Sequence, residues 1–290
     1  MPHYLITGAG GMLAHAFRTD PDFADHVALS HSQLDITDGR ACHDALRRHK
    51  PAVVLNCAAF TDVTAAQQDP REAYRVNADG PRNLADACRA AGCRLVHFST
   101  DYVFPGTHGG YRETDPTLPV NRYGASKLEG EELVRGLLPG ALIVRVSWLF
   151  GPGGHNFVSA VGSWLLERDE VRIVDDQFGK VTYTRDVAQA VLGLLRREAA
   201  GVFHYANAGR CSRFEFTVEM ARLLSEKHMV ARVSPTSADA FPDPTPRPTD
   251  SSMSTHKYER FTGSPSPSWQ NALQRYLKTG ALPLNPTRLL

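Results

Sequence analysis

Tyr123 and Lys127 are separated by three residues in the segment YGASK, and such a pair could carry acid–base chemistry. On a helix, a spacing of four places both side chains on one face, within reach of each other. A phenol has an ordinary pKa of about 10, so it is a poor acid–base at neutral pH, and a nearby ammonium favours its phenolate. The pair can donate a proton to a carbonyl oxygen as that oxygen gains charge. Taken alone, the same residues also fit an exposed helix with an aromatic anchor.

Gly8 and Gly11 lie in the segment TGAGGMLA, directly after the first apolar run of the chain. A glycine turn between a strand and a helix lets the backbone approach a pyrophosphate, whose charge is held at the helix N-terminus. Ala14 stands where a third glycine would be, so a plain strand-to-helix turn is the alternative. Because the segment opens an alternating strand–helix chain, we predict a dinucleotide site here.

Thr100 and Asp101 follow the fourth predicted strand, in the segment STDYVF. A hydroxyl at the carboxyl end of a parallel strand points to the crevice where such sheets bind ligands, and it could polarise a substrate carbonyl. Asp101 also fits a simple cap of the turn that follows. The order of glycine turn, hydroxyl and Tyr–Lys pair resembles the extended short-chain dehydrogenase/reductases.

The elements that must position these residues alternate regularly through the first half of the chain. Short apolar runs separated by helical segments indicate a parallel sheet that is buried on both faces. We therefore predict an α/β fold, a Rossmann-type doubly wound parallel sheet with a smaller C-terminal substrate-binding region. Strands are expected at His3–Thr7, His26–Ser30, Ala52–Asn56, Arg94–Ser99, Ala141–Ser147 and Val202–Asn207, and helices at Met12–Arg18, Arg40–His49, Arg71–Ala91, Arg122–Gly136, Val187–Arg197 and Phe214–Lys227.

Two regions of different character follow from this pattern. Residues 1–150, together with 183–207, are expected to form the dinucleotide-binding domain. Residues 151–182 and 208–290 are expected to form the substrate-binding region. Within the second region, Pro235–Met253 contains five prolines and is predicted to be a loop.

Ser30 and His31 end the second predicted strand, where chains that bind NAD often carry an acidic residue for the ribose. NADPH is therefore permitted, and Arg18 or His31 could meet its 2′-phosphate. Both side chains fit a solvent-facing role equally well. The expected cofactor is NADPH or NADH.

Composition excludes several classes of protein. The 32 Lys and Arg against 31 Asp and Glu leave a net charge of +1, so no basic field attracts nucleic acid or an anionic membrane. Val146–Leu166 lacks charged residues, but Gly, Pro, His and Asn at its middle argue against a membrane span. The five cysteines form no CxxC pair, and the N-terminus shows no secretory signal. We expect reduced thiols, no metal site and a cytoplasmic location.

Several longer stretches are similar to one branch of that superfamily. From the first strand to about residue 260, the chain resembles the dTDP-4-dehydrorhamnose reductase family. STDYVF and the pair Ser147-Trp148 are specific to this branch, whereas the Tyr–Lys spacing is not. The matching stretches are Asn56–Thr61, Val76–Asn77, Ser99–Gly106, Tyr123–Glu131, Arg145–Gly151, Val174–Gly179 and Arg247–Pro248.

The resemblance implies reduction of the C4 keto group of dTDP-4-dehydro-L-rhamnose to dTDP-L-rhamnose. It implies that Tyr123 is the general acid, that Lys127 tunes it and holds the nicotinamide ribose, and that Thr100 orients the carbonyl. Trp148 also fits a core aromatic, and the role of Arg247 depends almost wholly on the family. Cofactor contacts are implied for Gly11, Met12, Leu13, Asp35, Ile36, Ala59, Phe60, Thr61 and Phe98, and substrate contacts for Thr100, Asp101, Trp148 and Arg247.

The chain also departs from the family pattern. Val63–Gln67 (VTAAQ) replaces a segment close to VDxAE and so loses both carboxylates, and Val181-Thr182 replaces Pro-Thr. Mg²⁺, which some members bind between subunits, has no matching ligands here, so a homodimer and a monomer both stay open. The alternatives are a 4-ketoreductase for another deoxysugar, an epimerase with tightly bound NAD, and a reductase-like regulatory subunit without catalysis.

Overall fold

The main sheet of the molecule has six parallel strands. The structure, a computed structural model, describes residues 3–241, 243, 245–280 and 282. The six strands are β1 (Tyr4–Thr7), β2 (His26–Leu29), β3 (Val53–Asn56), β4 (Arg94–Thr100), β5 (Leu142–Val146) and one later strand, Gly201–His204. From edge to edge the order is β2, β1, β3, β4, β5 and the later strand, with every neighbouring pair parallel. The predicted doubly wound α/β fold is confirmed.

Alternate residues of these strands enter two different cores, which explains their continuous apolar character. Ile6 and Val144 belong to the core on one face, and Leu5 and Ile143 belong to the core on the other. Burying one such side chain contributes roughly 1.5–3 kcal/mol. Helices cover both faces, as a parallel sheet requires.

The helices of the first half are α1 (Met12–Thr19), α2 (Gly39–His49), α3 (Val63–Gln68), α4 (Pro70–Tyr74), α5 (Gly80–Ala91) and α6 (Arg122–Leu137). The predicted single helix Arg71–Ala91 is wrong in one respect, because a π-helical turn, Arg75–Asp79, lies between α4 and α5. Asn77 in this turn donates to the carbonyl oxygen of Phe60 at 3.0 Å and to Ser126 Oγ at 3.1 Å. Asn77 in the π-helical turn thus links the loop after β3 to α6.

The second half of the chain adds a smaller packed unit. Its elements are β6 (Leu149–Phe150), α7 (Phe157–Glu167), β7 (Glu170–Val174), β8 (Phe178–Gly179), β9 (Thr182–Tyr183), α8 (Thr184–Leu195), β10 (the later strand Gly201–His204), β11 (Cys211–Ser212), α9 (Arg213–Leu224), β12 (Arg232–Thr236), α10 (His256–Thr262) and α11 (Trp269–Lys278). Strand β12 runs parallel to β7, and β11 is antiparallel to β8. Phe150, Phe216 and Tyr276 share the core of this unit.

The predicted loop Pro235–Met253 is partly regular. Pro235 lies in β12 opposite Ile173, which is compatible with proline because β12 pairs with β7 alone among the described strands. Ala238–Ala240 then forms a 3₁₀ turn. Further on, Asp250 makes isolated bridges to Thr107 and to Phe178 of β8, and Met253 makes one to Tyr111. Pro242 and Pro244 lie outside the described residues, as do positions 283–290 of the predicted substrate-binding region.

Two expectations from composition concern the whole chain. All five cysteines are free thiols. Within the described residues, no helix has the length and apolar character needed to cross a lipid bilayer. The uncharged stretch Val146–Leu166 is divided between β5, β6 and α7.

Candidate active site

Tyr123 and Lys127 lie on α6, which approaches the carboxyl end of β4 closely. A Cβ atom at Gly124 would lie 2.1 Å from the carbonyl oxygen of Tyr102, so only glycine allows this approach. The side chain of Asn121 caps the helix and accepts a hydrogen bond from the Gly124 N–H at 2.8 Å. Asn121 and Gly124 therefore fix the start of α6 close to the end of β4, so that Tyr123 and Lys127 lie near the sheet.

The phenol of Tyr123 is within hydrogen-bonding reach of the Thr100 hydroxyl. Burial raises the pKa of Tyr123 above its ordinary value; the contact with Thr100 opposes this shift, and the carboxylate of Asp101 adds to it. The sequence predicts that Lys127 favours the phenolate, and this role of Lys127 stays a prediction. Tyr123 remains a protonated phenol, which is the form that can donate a proton to a substrate.

Lys127 is buried, and its Nζ donates to the carbonyl oxygen of Phe98 at 2.6 Å. Burial lowers the pKa of Lys127 to about 8, and the carboxylate of Glu131 opposes this shift. The ring of Phe98 points into the core, where its centre lies 5.6 Å from that of Phe17. Phe98 therefore reaches the site through its backbone.

Thr100 and Asp101 form a short hydrogen-bonded chain behind Tyr123. Thr100 caps the 3₁₀ turn Asp101–Val103 by accepting from the Tyr102 N–H at 3.2 Å, and its hydroxyl donates to Asp101 Oδ1 at 3.1 Å. The Ser251 hydroxyl donates to Asp101 Oδ2. Burial raises the pKa of Asp101 to about 6 in spite of these bonds. Thr100, and not Asp101, therefore caps this turn, and the Asp101 carboxylate holds the Thr100 hydroxyl.

A cavity of 340 Å³ opens above this chain at the carboxyl ends of β4 and β5. It brings together six residues that the sequence singled out, namely Met12, Thr61, Thr100, Asp101, Tyr123 and Trp148. It also contains four polar side chains that sequence reasoning missed, namely Ser99, His155, Asn156 and Arg213. The cavity therefore extends from Met12, which follows the glycine turn, to Tyr123.

Trp148 forms one wall of this cavity in an unusual backbone conformation. Its φ is +42°, which is a strained value for a bulky residue. A Cβ atom at Gly179 would lie 2.7 Å from the indole Cε2, so the glycine of the DQFG segment makes room for the ring. The indole also packs against the core of the second unit. Trp148 therefore packs in the core of the second unit and also lines the cavity.

Arg213 begins α9, and its side chain lies between two aromatic rings. The guanidinium carbon is 4.4 Å from the centre of the Trp148 ring and 4.8 Å from that of Phe157. Among the described residues, no carboxylate oxygen lies within ion-pair distance of it. Arg213 also lines a second, larger cavity of 1080 Å³, so it stands where the two cavities meet. No sequence motif marks this position.

Arg247 lines the larger cavity but is held by neighbours. Its Nη2 donates to Asp243 Oδ2 at 2.7 Å and to Thr64 Oγ1 at 3.4 Å. Thr64 itself donates to Asp243 Oδ2 at 3.2 Å. The segment Val63–Gln67, in which the family carboxylates are lost, therefore contacts the predicted substrate-binding arginine.

The glycine turn has the shape and polarity that a pyrophosphate needs. Gly8 adopts φ +63°, and a Cβ there would lie 2.8 Å from the backbone of Ala58. The Gly11 N–H closes the turn by donating to the Gly8 carbonyl oxygen at 2.9 Å. Helix α1 starts without a side-chain cap or an acidic residue in its first turn, so its free N–H groups suit an anion. Met12 faces the cavity, and Leu13 packs against the core.

The other predicted cofactor contacts lie in the loops after β2 and β3. Asp35 is half-buried in the loop after β2, and Ile36 is buried against Gly80, where a Cβ would lie 2.6 Å from the isoleucine Cδ1. Ala59 is exposed and Phe60 half-buried in the loop after β3. Their contacts with a dinucleotide stay predictions.

The position that distinguishes the two nicotinamide cofactors is open to solvent. The Ser30 hydroxyl donates to Gln33 Oε1 at 2.9 Å, and His31 is exposed. Arg18 donates through Nη1 to the carbonyl oxygen of Ala9 at 3.0 Å, within the glycine turn. No acidic side chain directly follows β2. In the described part of the chain, no group of three or more His, Cys, Asp or Glu side chains is arranged to hold a metal ion.

The chain matches a known protein family over nearly its whole length. Residues 2–281 match the family described as RmlD substrate binding domain. The chain belongs to the RmlD family. The resemblance to dTDP-4-dehydrorhamnose reductases that the sequence motifs indicate is therefore confirmed.

Individual members of the RmlD family agree with this assignment. The chain is 42% identical to a dTDP-4-dehydrorhamnose reductase of Streptomyces griseus, with 94% of this chain and 92% of the relative covered. It is 39% identical to a probable dTDP-4,6-dihydroxy-2-methyloxan-3-one 4-ketoreductase of Streptomyces antibioticus, with 93% of each chain covered. The crystal structure of the Bacillus anthracis dTDP-4-dehydrorhamnose reductase in complex with NADP has a TM-score of 0.91, at 35% identity and with 96% of this chain and 99% of that chain covered.

Proposed function

We propose that this protein is an NAD(P)H-dependent reductase of the C4 keto group of dTDP-4-dehydro-L-rhamnose, with dTDP-L-rhamnose as the product. The observation that carries the proposal is the Thr100–Tyr123 contact in the cavity that Met12, the residue after the glycine turn, also lines, with the buried Lys127 one helical turn further along α6. The Streptomyces griseus relative is named for this reaction, and the Bacillus anthracis structure contains NADP.

The side chains in and around this cavity divide the work of a carbonyl reduction. The nicotinamide cofactor, when bound, supplies a hydride to the carbonyl carbon. Tyr123 donates its phenolic proton to the oxygen, which becomes the hydroxyl of the product. Thr100 orients the carbonyl, and Asp101 fixes the Thr100 hydroxyl. Lys127 stabilises the phenolate that Tyr123 becomes after the transfer.

Arg213 and Arg247 supply positive charge for the substrate's nucleoside diphosphate. Arg213 faces both cavities without an ion-pair partner among the described carboxylates, so it can bind an anionic group at their junction. Trp148 holds the guanidinium and lines the space for the sugar ring. In this proposal, residues 151–182 with 208–290 hold the sugar nucleotide, and residues 1–150 with 183–207 hold the cofactor.

The experiment that tests the proposal follows the loss of NADPH or NADH absorbance with dTDP-4-dehydrorhamnose made in situ from dTDP-glucose. We expect rapid consumption with dTDP-rhamnose as the product. Parallel assays with and without Mg²⁺ measure any need for the metal. NADPH binding without consumption would contradict the proposed substrate.

A 4-ketoreductase for another deoxysugar is the second candidate function. Thr64, in the segment that lacks the family carboxylates, contacts Arg247 and Asp243, and the Streptomyces antibioticus relative is named as a 4-ketoreductase. Turnover of a different dTDP-4-keto-6-deoxysugar in the same assay would favour it. NAD retained through purification would instead favour an epimerase, because a reductase exchanges its cofactor in every turnover. A co-purifying enzyme without any turnover would favour a regulatory subunit.

A further inference from the structure

Glu131 lies one helical turn after Lys127 on α6 and is almost completely buried. Its Oε1 accepts from Arg145 Nε at 2.9 Å and its Oε2 from Arg145 Nη2 at 2.7 Å. Arg145 lies on β5 and is also buried. A buried ion pair is weak evidence for stability, because its desolvation cost offsets its attraction and an apolar pair of similar volume often serves as well. A contribution to stability alone therefore does not account for this pair, and we consider a functional role.

The position of Arg145 in the sheet suggests what that function is. In the pairing of β5 with β4, Arg145 stands opposite Ser99, between Phe98 and Thr100. Phe98 contributes the carbonyl oxygen that accepts from Lys127, and Thr100 contributes the hydroxyl that contacts Tyr123. The ion pair therefore joins α6 to the sheet at the level of the catalytic groups.

We propose that the Glu131–Arg145 ion pair is a positioning device that fixes α6 on the sheet and holds Lys127 in its cationic form beside Phe98. The inference rests on the proposed function, because it assigns Glu131 and Arg145 to the support of that reaction. Neither residue lines the cavity of 340 Å³. They act through Lys127, and they are positioning residues.

The charges around Lys127 explain why such a device is needed. Burial favours the neutral amine, and the Glu131 carboxylate opposes this. His97 of β4 also faces Lys127, and burial lowers the pKa of this imidazole so far that it stays neutral. The Asp101 carboxylate raises the pKa of Tyr123, and the Arg145 guanidinium contacts Glu131 and His204. Among the described groups, Glu131 is thus the one that favours a charged Lys127.

The test is the pH profile of kcat/KM for Glu131→Gln. A cationic Lys127 is lost as the pH rises through its pKa, and removal of the carboxylate lowers that pKa further. We expect the alkaline limb of the profile to move to lower pH by about one unit. Glu129→Gln, on an exposed side chain of the same helix, is the matched control and should leave the limb in place. Glu131→Asp keeps the carboxylate and should restore the wild-type limb.

Folding and catalysis are separated by two further measurements. Glu131→Gln leaves Arg145 without its charged partner, so Glu131→Gln/Arg145→Gln, which removes both charges, replaces it if the single variant does not fold. The alkaline limb of the double variant should also lie at lower pH.

NADPH affinity as a function of pH, measured by fluorescence, gives a readout that does not depend on the sugar substrate. If wild type fails to reduce the sugar nucleotide, the proposed function fails while this readout still tests the pair. A lower kcat with an unmoved limb and unmoved NADPH binding would overturn the proposal and leave a purely structural pair.

Discussion

The guanidinium carbon of Arg213 lies 4.4 Å from the centre of the Trp148 ring, and Phe157 covers its other side at 4.8 Å. Arg213 begins α9 in the second unit, whereas Trp148 follows the main-sheet strand β5. The contact therefore joins the two parts of the molecule at the place where the two cavities meet. An arginine held by aromatic faces keeps its charge available for an anionic ligand.

Arg213→Met should weaken binding of the sugar nucleotide. A hydrogen bond to a charged group contributes about 1.5–3 kcal/mol, so we expect KM to rise about ten- to a hundredfold. NADPH affinity should stay unchanged. Arg222→Met, in the exposed last turn of the same helix, is the control. Steady-state kinetics and NADPH titration check both variants, and an equal loss of NADPH affinity in Arg213→Met would contradict the assigned role.

Tyr123→Phe removes the proton donor and leaves the ring. Because general acid catalysis contributes about 10²–10⁴-fold, we expect kcat to fall by at least a hundredfold, with little loss of NADPH affinity. Single-turnover measurements on the variant separate the chemical step from cofactor binding. Turnover close to that of wild type would exclude Tyr123 as the acid.

Gly179→Ala places a methyl group where the indole of Trp148 lies, 2.7 Å from its Cε2. The ring must shift, so we expect a higher KM for the sugar nucleotide and unchanged NADPH binding. Trp148→Ala should have the same direction of effect. Gly136→Ala serves as the control, because a Cβ there meets nothing within 4 Å. An effect of the control as large as that of Gly179→Ala would show that the indole is not responsible.

Asp101→Asn should stabilise the fold at neutral pH while it lowers activity. The pKa of Asp101 is about 6 in the folded chain and about 4 when unfolded, so its contribution to stability is present below pH 4 and is lost as the pH rises to 6. Two units correspond to a gain on the order of 3 kcal/mol for the neutral variant above pH 6. Urea unfolding at pH 4 and pH 8 measures this difference, with exposed Asp239→Asn as the control. A gain of equal size at both pH values would contradict the raised pKa.

The sequence predicts the main sheet well because its strands are buried on both faces, and short continuous apolar runs such as Ala52–Asn56 are typical of such strands. It also predicts Tyr123 and Lys127, whose helical spacing is local. Arg213 and Ser251 were missed because they reach the site through tertiary contacts that no spacing records. The same holds for β12, whose proline-rich sequence conceals a pairing with β7. Local patterns identify elements, whereas contacts between distant segments need the fold.

The choice between NADPH and NADH is expected to depend on Ser30, which follows β2 where NAD-binding chains often carry an acidic residue. In Ser30→Asp, the new carboxylate would accept from the ribose hydroxyls of NADH and repel the 2′-phosphate of NADPH. We expect kcat/KM to fall about ten- to a hundredfold for NADPH, since two charges a few ångströms apart at a protein surface interact by several kcal/mol before screening. The value for NADH should stay the same or rise. Ser30→Asn has nearly the same shape without the charge, so it should leave the preference unchanged. An equal fall with both cofactors in Ser30→Asp would mean that the substitution disturbs the loop after β2, where Ser30 is bonded to Gln33, and that the 2′-phosphate is held elsewhere.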